Sequence, residues 1–114
     1  MAHDNLGVAY STLGRWRDAV AAFQQATRLQ SDNAQAHYNL GVAYDNLGRL
    51  QEAVAAFQQA IRLRPKDAQA HYNLGVTYLM LGDQESAFKE YTILKPLDPH
   101  LATDLLRSVL DESP

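Results

Sequence analysis

The chain has 114 residues, 10 basic against 13 acidic side chains for a net charge of −3, and no cysteine. That is one domain's worth of chain, and its thin charge excludes the basic field a nucleic-acid binder needs, while the missing thiols exclude disulfides, thiolate metal sites and cysteine nucleophiles and fit a reducing, cytoplasmic setting. No apolar run approaches the roughly 18 to 20 residues that span a bilayer, and Met1-Ala2-His3-Asp4 lacks a secretory leader's charged-then-apolar pattern, so neither membrane insertion nor export is expected.

The sequence repeats itself. Displaced by 34 residues, Ala2 to Gln35 aligns with Ala36 to Gln69 at 23 of 34 identical positions, and a third copy opens at Ala70 with the wording of Ala36 to Val42 before it diverges. We read repeats at 1–33, 34–67 and 68–99 within a single domain 1–114, since one such unit cannot bury its own apolar face and about three are needed for a continuous core. Each copy reads as two helices. In the first, the helical pattern stops at Gly14. In the middle copy, Ala36, Leu40, Ala43, Tyr44 and Leu47 share one stripe of a 3.6-residue period. After Gly48 a second stripe follows, with Ala53, Val54, Phe57, Ala60 and Ile61. Gly14, Gly48 and Gly82 stand where a helix ends in a left-handed residue. Asn33 and Asp67 are placed to cap the following helix, and Pro65 sits in the turn before it. Short connections predict antiparallel hairpins. Gly7, Gly41 and Gly75 lie inside the first helices, where glycine costs about 1 kcal/mol relative to alanine, so a close approach is expected there. Ala19, Ala53 and Ala87, twelve residues on, are the expected partners.

The third copy breaks the pattern with Phe88, Tyr91, Ile93 and Leu94, and with Pro96, which predicts a helix kinked or ended near Lys95. Beyond Asp98-Pro99, Leu101, Ala102, Leu105, Leu106, Val109 and Leu110 form an apolar stripe opposite Thr103, Asp104, Arg107 and Asp111. Residues 100–111 therefore read as a helix capping the last hairpin, or as one swapped onto a second copy. The outer face of the first helix is left open, for preceding sequence or for self-association.

Leu40-Gly41, Tyr44, Ala53, Phe57, Ala60 and Pro65, with Asn39 ahead of the Leu-Gly pair, stand at the spacing of the tetratricopeptide signature, and the first copy matches except for Ser31 at the proline position. The chain thus resembles a tetratricopeptide-repeat array over nearly its whole length. The wording Ala-His-Tyr-Asn-Leu-Gly is also similar to the repeats of O-linked N-acetylglucosamine transferases, although no part of a transferase domain is present. Histidine (His3, His37, His71) replaces the signature's tryptophan. The resemblance implies an all-α, right-handed superhelical solenoid of three helix-turn-helix hairpins plus a C-terminal capping helix. It further implies a concave wall made by the first helices and a role in protein–protein interaction.

On that wall the residues away from the core stripe are Asp4, Asn5, Val8, Ser11 and Thr12, then Tyr38, Asn39, Val42, Asp45 and Asn46, then Tyr72, Asn73, Val76, Leu79 and Met80. The peptide-binding set expected among them is Asn5, Val8, Tyr38, Asn39, Val42, Asn46, Tyr72, Asn73, Val76 and Met80. Asn5, Asn39 and Asn73 recur every 34 residues and offer two donors and an acceptor each, suited to a peptide main chain or, equally, to supporting neighbouring helices. Tyr38, Tyr72, Leu79 and Met80 add apolar pockets.

Chaperone-binding members of the family clamp a C-terminal carboxylate with cations on the first helices. The matching positions here are Asp4, Val8, Gln69 and Asn73, with only Asn39 retained, so acidic tails are not expected to bind. The histidines are roughly 10 Å apart if hairpins pack normally, too far for one zinc ion, and read as structural. No nucleophile elbow, glycine-rich phosphate loop or distinctive carboxylate pair is present, so neither catalysis nor a cofactor is expected. Arg28, Arg62, Arg64 and Lys66 complement helix C-termini or form a patch for an anionic partner. The partner is then a protein or peptide. Two alternatives are a self-assembling scaffold that uses its terminal helices and the regulatory arm of a larger enzyme.

Overall fold

Gly14, Gly48 and Gly82 adopt φ of +74°, +77° and +80°, the left-handed conformation in which a residue without Cβ carries no steric penalty. At each the chain closes a Schellman turn. The Arg49 amide donates to the Tyr44 carbonyl at 2.9 Å and the Gly48 amide to Asp45 at 3.0 Å, and Arg15 to Tyr10 and Asp83 to Tyr78 repeat the first of these bonds at 2.8 Å. These turns divide a computed structural model of the chain, in which residues 2–111 are described, into helices with no strand among them. The helices are α1 (Ala2–Thr12), α2 (Trp16–Leu29), α3 (Ala34–Asn46), α4 (Leu50–Leu63), α5 (Ala68–Met80), α6 (Gln84–Leu97) and α7 (Pro99–Asp111). They form two compact units, residues 1–65 with α1 to α4 and residues 66–114 with α5 to α7.

The helix starts are fixed chemically as well. Asn33 and Asp67 accept the Ala36 and Ala70 amides at 3.0 and 3.2 Å, satisfying donors that a helix N-terminus leaves orphaned. Asp98 does the same for α7, accepting from His100 and Leu101 at 3.1 Å each. The second helices of unit 1 begin without a side-chain cap. There Arg15 and Arg49 bridge the hairpin instead, lying 5.2 and 5.1 Å from the ring centroids of Tyr10 and Tyr44 while pairing with Asp18 and Glu52.

In unit 1 the hairpins α1–α2 and α3–α4 pack through α2 against α3. Its core is alanine-rich around two rings, with Ala19, Phe23, Ala26, Ala43, Ala53, Phe57 and Ala60 all buried. The close approach expected at the helix-interior glycines is present, and the atoms nearest to it in unit 1 belong to a phenylalanine ring. A Cβ built on Gly41 would lie 2.7 Å from the Phe57 ring, and one on Gly7 would lie 2.4 Å from Phe23. The glycines make room for aromatic rings on the facing helix, which bury far more apolar area than a methyl group.

Unit 2 solves the same problem differently. A Cβ on Gly75 would meet Leu105 of α7 at 2.6 Å and Glu90 Cβ at 3.4 Å, so the helix after the hairpin supplies the filling side chain. Ala102 and Leu105 join Leu79, Ala87 and Leu94 in one buried cluster. Thr103, Asp104 and Arg107 face outward as expected of a capping helix, although Leu110 of the apolar stripe is exposed as well, and the Asp111 side chain lies outside the described residues. Leu79, expected on the groove wall, is buried in this core. Helix α6 runs two residues past Lys95, through Pro96 to Leu97. The proline sits in the last turn, where it removes one hydrogen bond at an exposed position, and the Asp98 amide still closes on Leu94 at 2.8 Å. Between α5 and α6, His71 Nδ1 and Glu90 Oε1 meet at 2.7 Å with side chains only 6% and 12% exposed.

Three outcomes follow. Gly41→Leu is expected to cost about 3 kcal/mol, roughly 10 °C in melting temperature, because the Phe57 ring must move, whereas Gly48→Ala, with nothing within 4 Å of the new Cβ, costs only the about 1–2 kcal/mol of left-handed strain. Glu90→Leu leaves His71 without its carboxylate and lowers the melting temperature, as removal of one member of a buried pair does. Ser86 holds the Asp83 carboxyl below its ordinary range through its hydroxyl, at 2.7 Å, and its backbone amide, at 3.0 Å. The stabilisation at this cap is complete above the unfolded-state pKa of Asp83 and is lost as pH falls through the lowered folded-state value. The protection of the Ser86 amide, its exchange rate relative to an unstructured peptide at the same pH, should therefore fall on acidification, and this loss of protection should be absent in Asp83→Asn.

Candidate functional site

With Leu40, Ala43 and Tyr44 committed to the core, the opposite stripe of each first helix is left for other uses. In unit 1 the stripes of α1 and α3 meet at a cavity of about 270 Å³ lined by Val8, Ser11, Thr12, Trp16, Phe23, Tyr38, Asn39 and Val42. Four of the expected binding residues, Val8, Tyr38, Asn39 and Val42, are thus brought together, along with Ser11 and Thr12 from the same wall. Asn5 and Asn46 are exposed and stand outside the cavity, Asn46 turning its amide back to the Val42 carbonyl at 2.9 Å. Sequence reasoning missed Trp16 and Phe23, which come from the second helix. A signal for Trp16 was present, since it is the sole tryptophan and stands where the next repeat has Leu50.

The polar groups at the rim have defined orientations. Ser11 Oγ donates to the Gly7 carbonyl at 2.9 Å and Thr12 Oγ1 to Val8 at 3.0 Å, so both hydroxyl hydrogens are engaged within α1. Gln35 Nε2 donates to Asn39 Oδ1 at 3.0 Å, within its own helix and not to a neighbouring one, and Gln69 makes the same bond to Asn73 at 3.1 Å. The tilted ring of Tyr38 lies 5.7 Å from that of Phe57, which anchors the cavity wall to the hairpin core. In unit 2, Tyr72 and Val76 pack partly against the buried cluster. Asn73 is half-buried, and Met80 is exposed at the end of α5.

Electrostatics are set by an omission and a substitution. Helices α1, α3 and α5 carry no lysine or arginine. Asp4 stands where the second repeat has Tyr38. Its Oδ2 accepts from Asn33 Nδ2 at 2.7 Å, and its Oδ1 is buried without a partner. Asn33 therefore serves two elements, capping α3 with its oxygen and holding α1 with its nitrogen. Of the histidines, His37 Nε2 lies 3.0 Å from the Ser31 carbonyl and His71 pairs with Glu90, while the His3 side chain lies outside the described residues. Among the described residues no cluster of histidine and carboxylate side chains could hold a metal ion, and no helix is long and apolar enough to cross a membrane.

Antiparallel hairpins of 11 to 14 residues per helix, repeated at a 34-residue step with glycine set over a ring, define a helical-repeat protein. The profile of the tetratricopeptide repeat matches residues 5–68 and 45–102. The chain belongs to the tetratricopeptide-repeat family. No curated protein matches the sequence. Among solved structures, the first such domain of Spaghetti (RPAP3), bound to the HSP90 peptide SRMEEVD, superposes with a TM-score of 0.90 at 22% identity, over 96% of this chain and 89% of that one. The second domain of human RPAP3, in complex with the HSP70 peptide SGPTIEEVD, gives 0.88 at 21%, over 94% and 91%. A MamA variant gives 0.81 at 30%, over 85% and 71%.

The double role of Asn33 has a direct check. Asn33→Asp copies Asp67 of the next repeat and keeps the cap, but sets a second carboxylate against Asp4. It is expected to destabilise by about 1–3 kcal/mol in thermal melts at neutral pH, and the loss should be largely recovered in the double variant Asn33→Asp with Asp4→Asn.

Proposed function

We propose that this chain is a protein-interaction scaffold that holds an extended peptide along the groove face of its first helices. The reading takes residues 1–114 as one domain, with repeats 1–33, 34–67 and 68–99 and helix 100–111 as cap, wound as the right-handed superhelix its family implies. The observation that carries it is the α1–α3 cavity, where Val8, Tyr38, Asn39 and Val42 converge with apolar walls and an amide at the rim. Such a combination of apolar contact and main-chain hydrogen bonding is what peptide recognition requires. Structures of similar fold hold peptides, which supports the class of partner. The peptide itself differs, because α1, α3 and α5 offer no cation to an acidic C-terminus. Binding is the activity proposed, in a reducing compartment such as the cytoplasm.

One observation favours a second reading, self-association through α1. Leu6 is 45% and Leu13 70% exposed, whereas Leu40, at the position of Leu6 in the next repeat, is 8% exposed because α2 packs on α3. A mass by sedimentation equilibrium that rises with concentration, and returns to that of one chain in Leu6→Gln with Leu13→Gln, would select it.

The groove reading is tested with a randomised linear peptide library selected on the immobilised chain. Enriched peptides should lose about tenfold or more in affinity when Asn5, Asn39 and Asn73 are all changed to alanine. Unchanged affinity would remove the groove assignment. Calorimetric titration with SRMEEVD is expected to show no complex tighter than about 1 mM, and low-micromolar binding would overturn the account of the missing cations.

A further inference from the structure

We infer that the α1–α3 cavity is a socket for one bulky apolar side chain of the bound segment, of the leucine or phenylalanine kind, with Asn39 holding the main chain beside it. The inference rests on the groove reading and names what that groove selects.

The internal duplication supplies the first argument. From Ala2 to Leu13 and from Ala36 to Leu47 the two first helices differ at three positions only: Asp4 against Tyr38, Ser11 against Asp45, and Thr12 against Asn46. The Leu-Gly pair, the alanine and the tyrosine of the core stripe are the same in both. Asp4 is tied to Asn33 and Tyr38 to Phe57, so it is the changes at Ser11 and Thr12 that core packing does not ask for. All three fall on the groove stripe, at i, i+7 and i+8. The next difference along the chain is Trp16 against Leu50. Three of these first four differences, at Ser11, Thr12 and Trp16, line the one cavity. Repeat 1 has diverged from repeat 2 where a ligand would sit.

The second argument is chemical. No charged side chain lines the cavity. Its floor is the Phe23 ring, 1% exposed, and the hydroxyl hydrogens of Ser11 and Thr12 are spent on their own helix. A charged group entering would give up hydration without a partner, while an apolar one releases water from aromatic walls. At about 270 Å³ the space falls below the roughly 300–1,000 Å³ of small-molecule sites, which suits a single side chain.

The third argument is the rim. Asn39 Oδ1 is engaged by Gln35, so what this side chain has to offer a ligand carbonyl is the pair of Nδ2 donors. A main-chain carbonyl next to the anchoring residue is the acceptor an extended segment always has. Asp4, with one carboxylate oxygen unpartnered, and the absence of lysine and arginine from α1 and α3 disfavour acidic flanks on that segment.

Trp16 makes the socket observable, as the only tryptophan in the chain. Peptides enriched from the library are expected to share one bulky apolar residue and to shift Trp16 emission to shorter wavelength on binding. Their affinity should fall about tenfold or more when that residue is changed to alanine, and by a similar factor with Thr12→Tyr, which fills the cavity from an exposed position. The peptide-side change needs no protein variant, so it stands even if Thr12→Tyr folds poorly. Peptides that depend on Asn39 but leave Trp16 silent and tolerate loss of their apolar residue would overturn the socket while the groove stands. A library that yields no binder counts against both.

Discussion

A glycine facing an aromatic ring sets the geometry of each hairpin in unit 1. Removing the Cβ at Gly7 and Gly41 lets the rings of Phe23 and Phe57 enter the space between paired helices, and burying such a ring outweighs the helix propensity lost at glycine. Once the rings are seated, the rotation of each helix about its axis is settled. Leu40, Ala43 and Tyr44 must face inward, and Val8, Thr12, Tyr38 and Val42 are left on the other side. The cavity wall follows from the core, and Phe23 belongs to both, packing under Gly7 and closing the cavity floor.

The second unit keeps the glycine and changes its partner. Leu105 reaches Gly75 from α7, while Tyr91, at the position of Phe57, turns its ring toward Phe88 at 5.3 Å and lies 5.7 Å from Lys95. Glu90 stands where Ala22 and Ala56 stand in the other repeats and meets His71 across the hairpin. A carboxylate at that depth is tolerable only with its partner, so the pair ties α5 to α6 specifically and not merely by apolar contact. These changes let α7 pack on the α5–α6 hairpin, with Thr103, Asp104 and Arg107 outward.

The polar groups follow the same economy of position. Asn33 and Asp67 are equivalent caps, yet only asparagine can also donate to Asp4, and Asp4 occurs only where the cap is asparagine. The two differences between repeats form one local solution. The same comparison marks Ser11, Thr12 and Trp16, whose changes answer no packing demand. Family membership explains the framework that repeats, and the proposed ligand contacts are read from the departures within it.

Much of this was legible in the sequence. Left-handed glycines, capping side chains and the 3.6-residue period act within a few residues of chain, so Gly48, Asn33, Asp67 and the stripe ending at Leu47 located turns, helix starts and buried faces. Tyr38, Asn39 and Val42 could be placed together for the same reason, since a helix fixes which of its residues share a side, whereas a wall shared with Val8 of α1 was what the resemblance to the family implied. Contacts between helices are another matter. That the Phe57 ring lies nearest Gly41, that Leu79 is core, that α6 runs on through Pro96 to Leu97, and that Trp16 and Phe23 close the cavity depend on how side chains distant in sequence fill shared volume. Periodicity gives a helix its face, and only the packed structure decides which atoms meet across it.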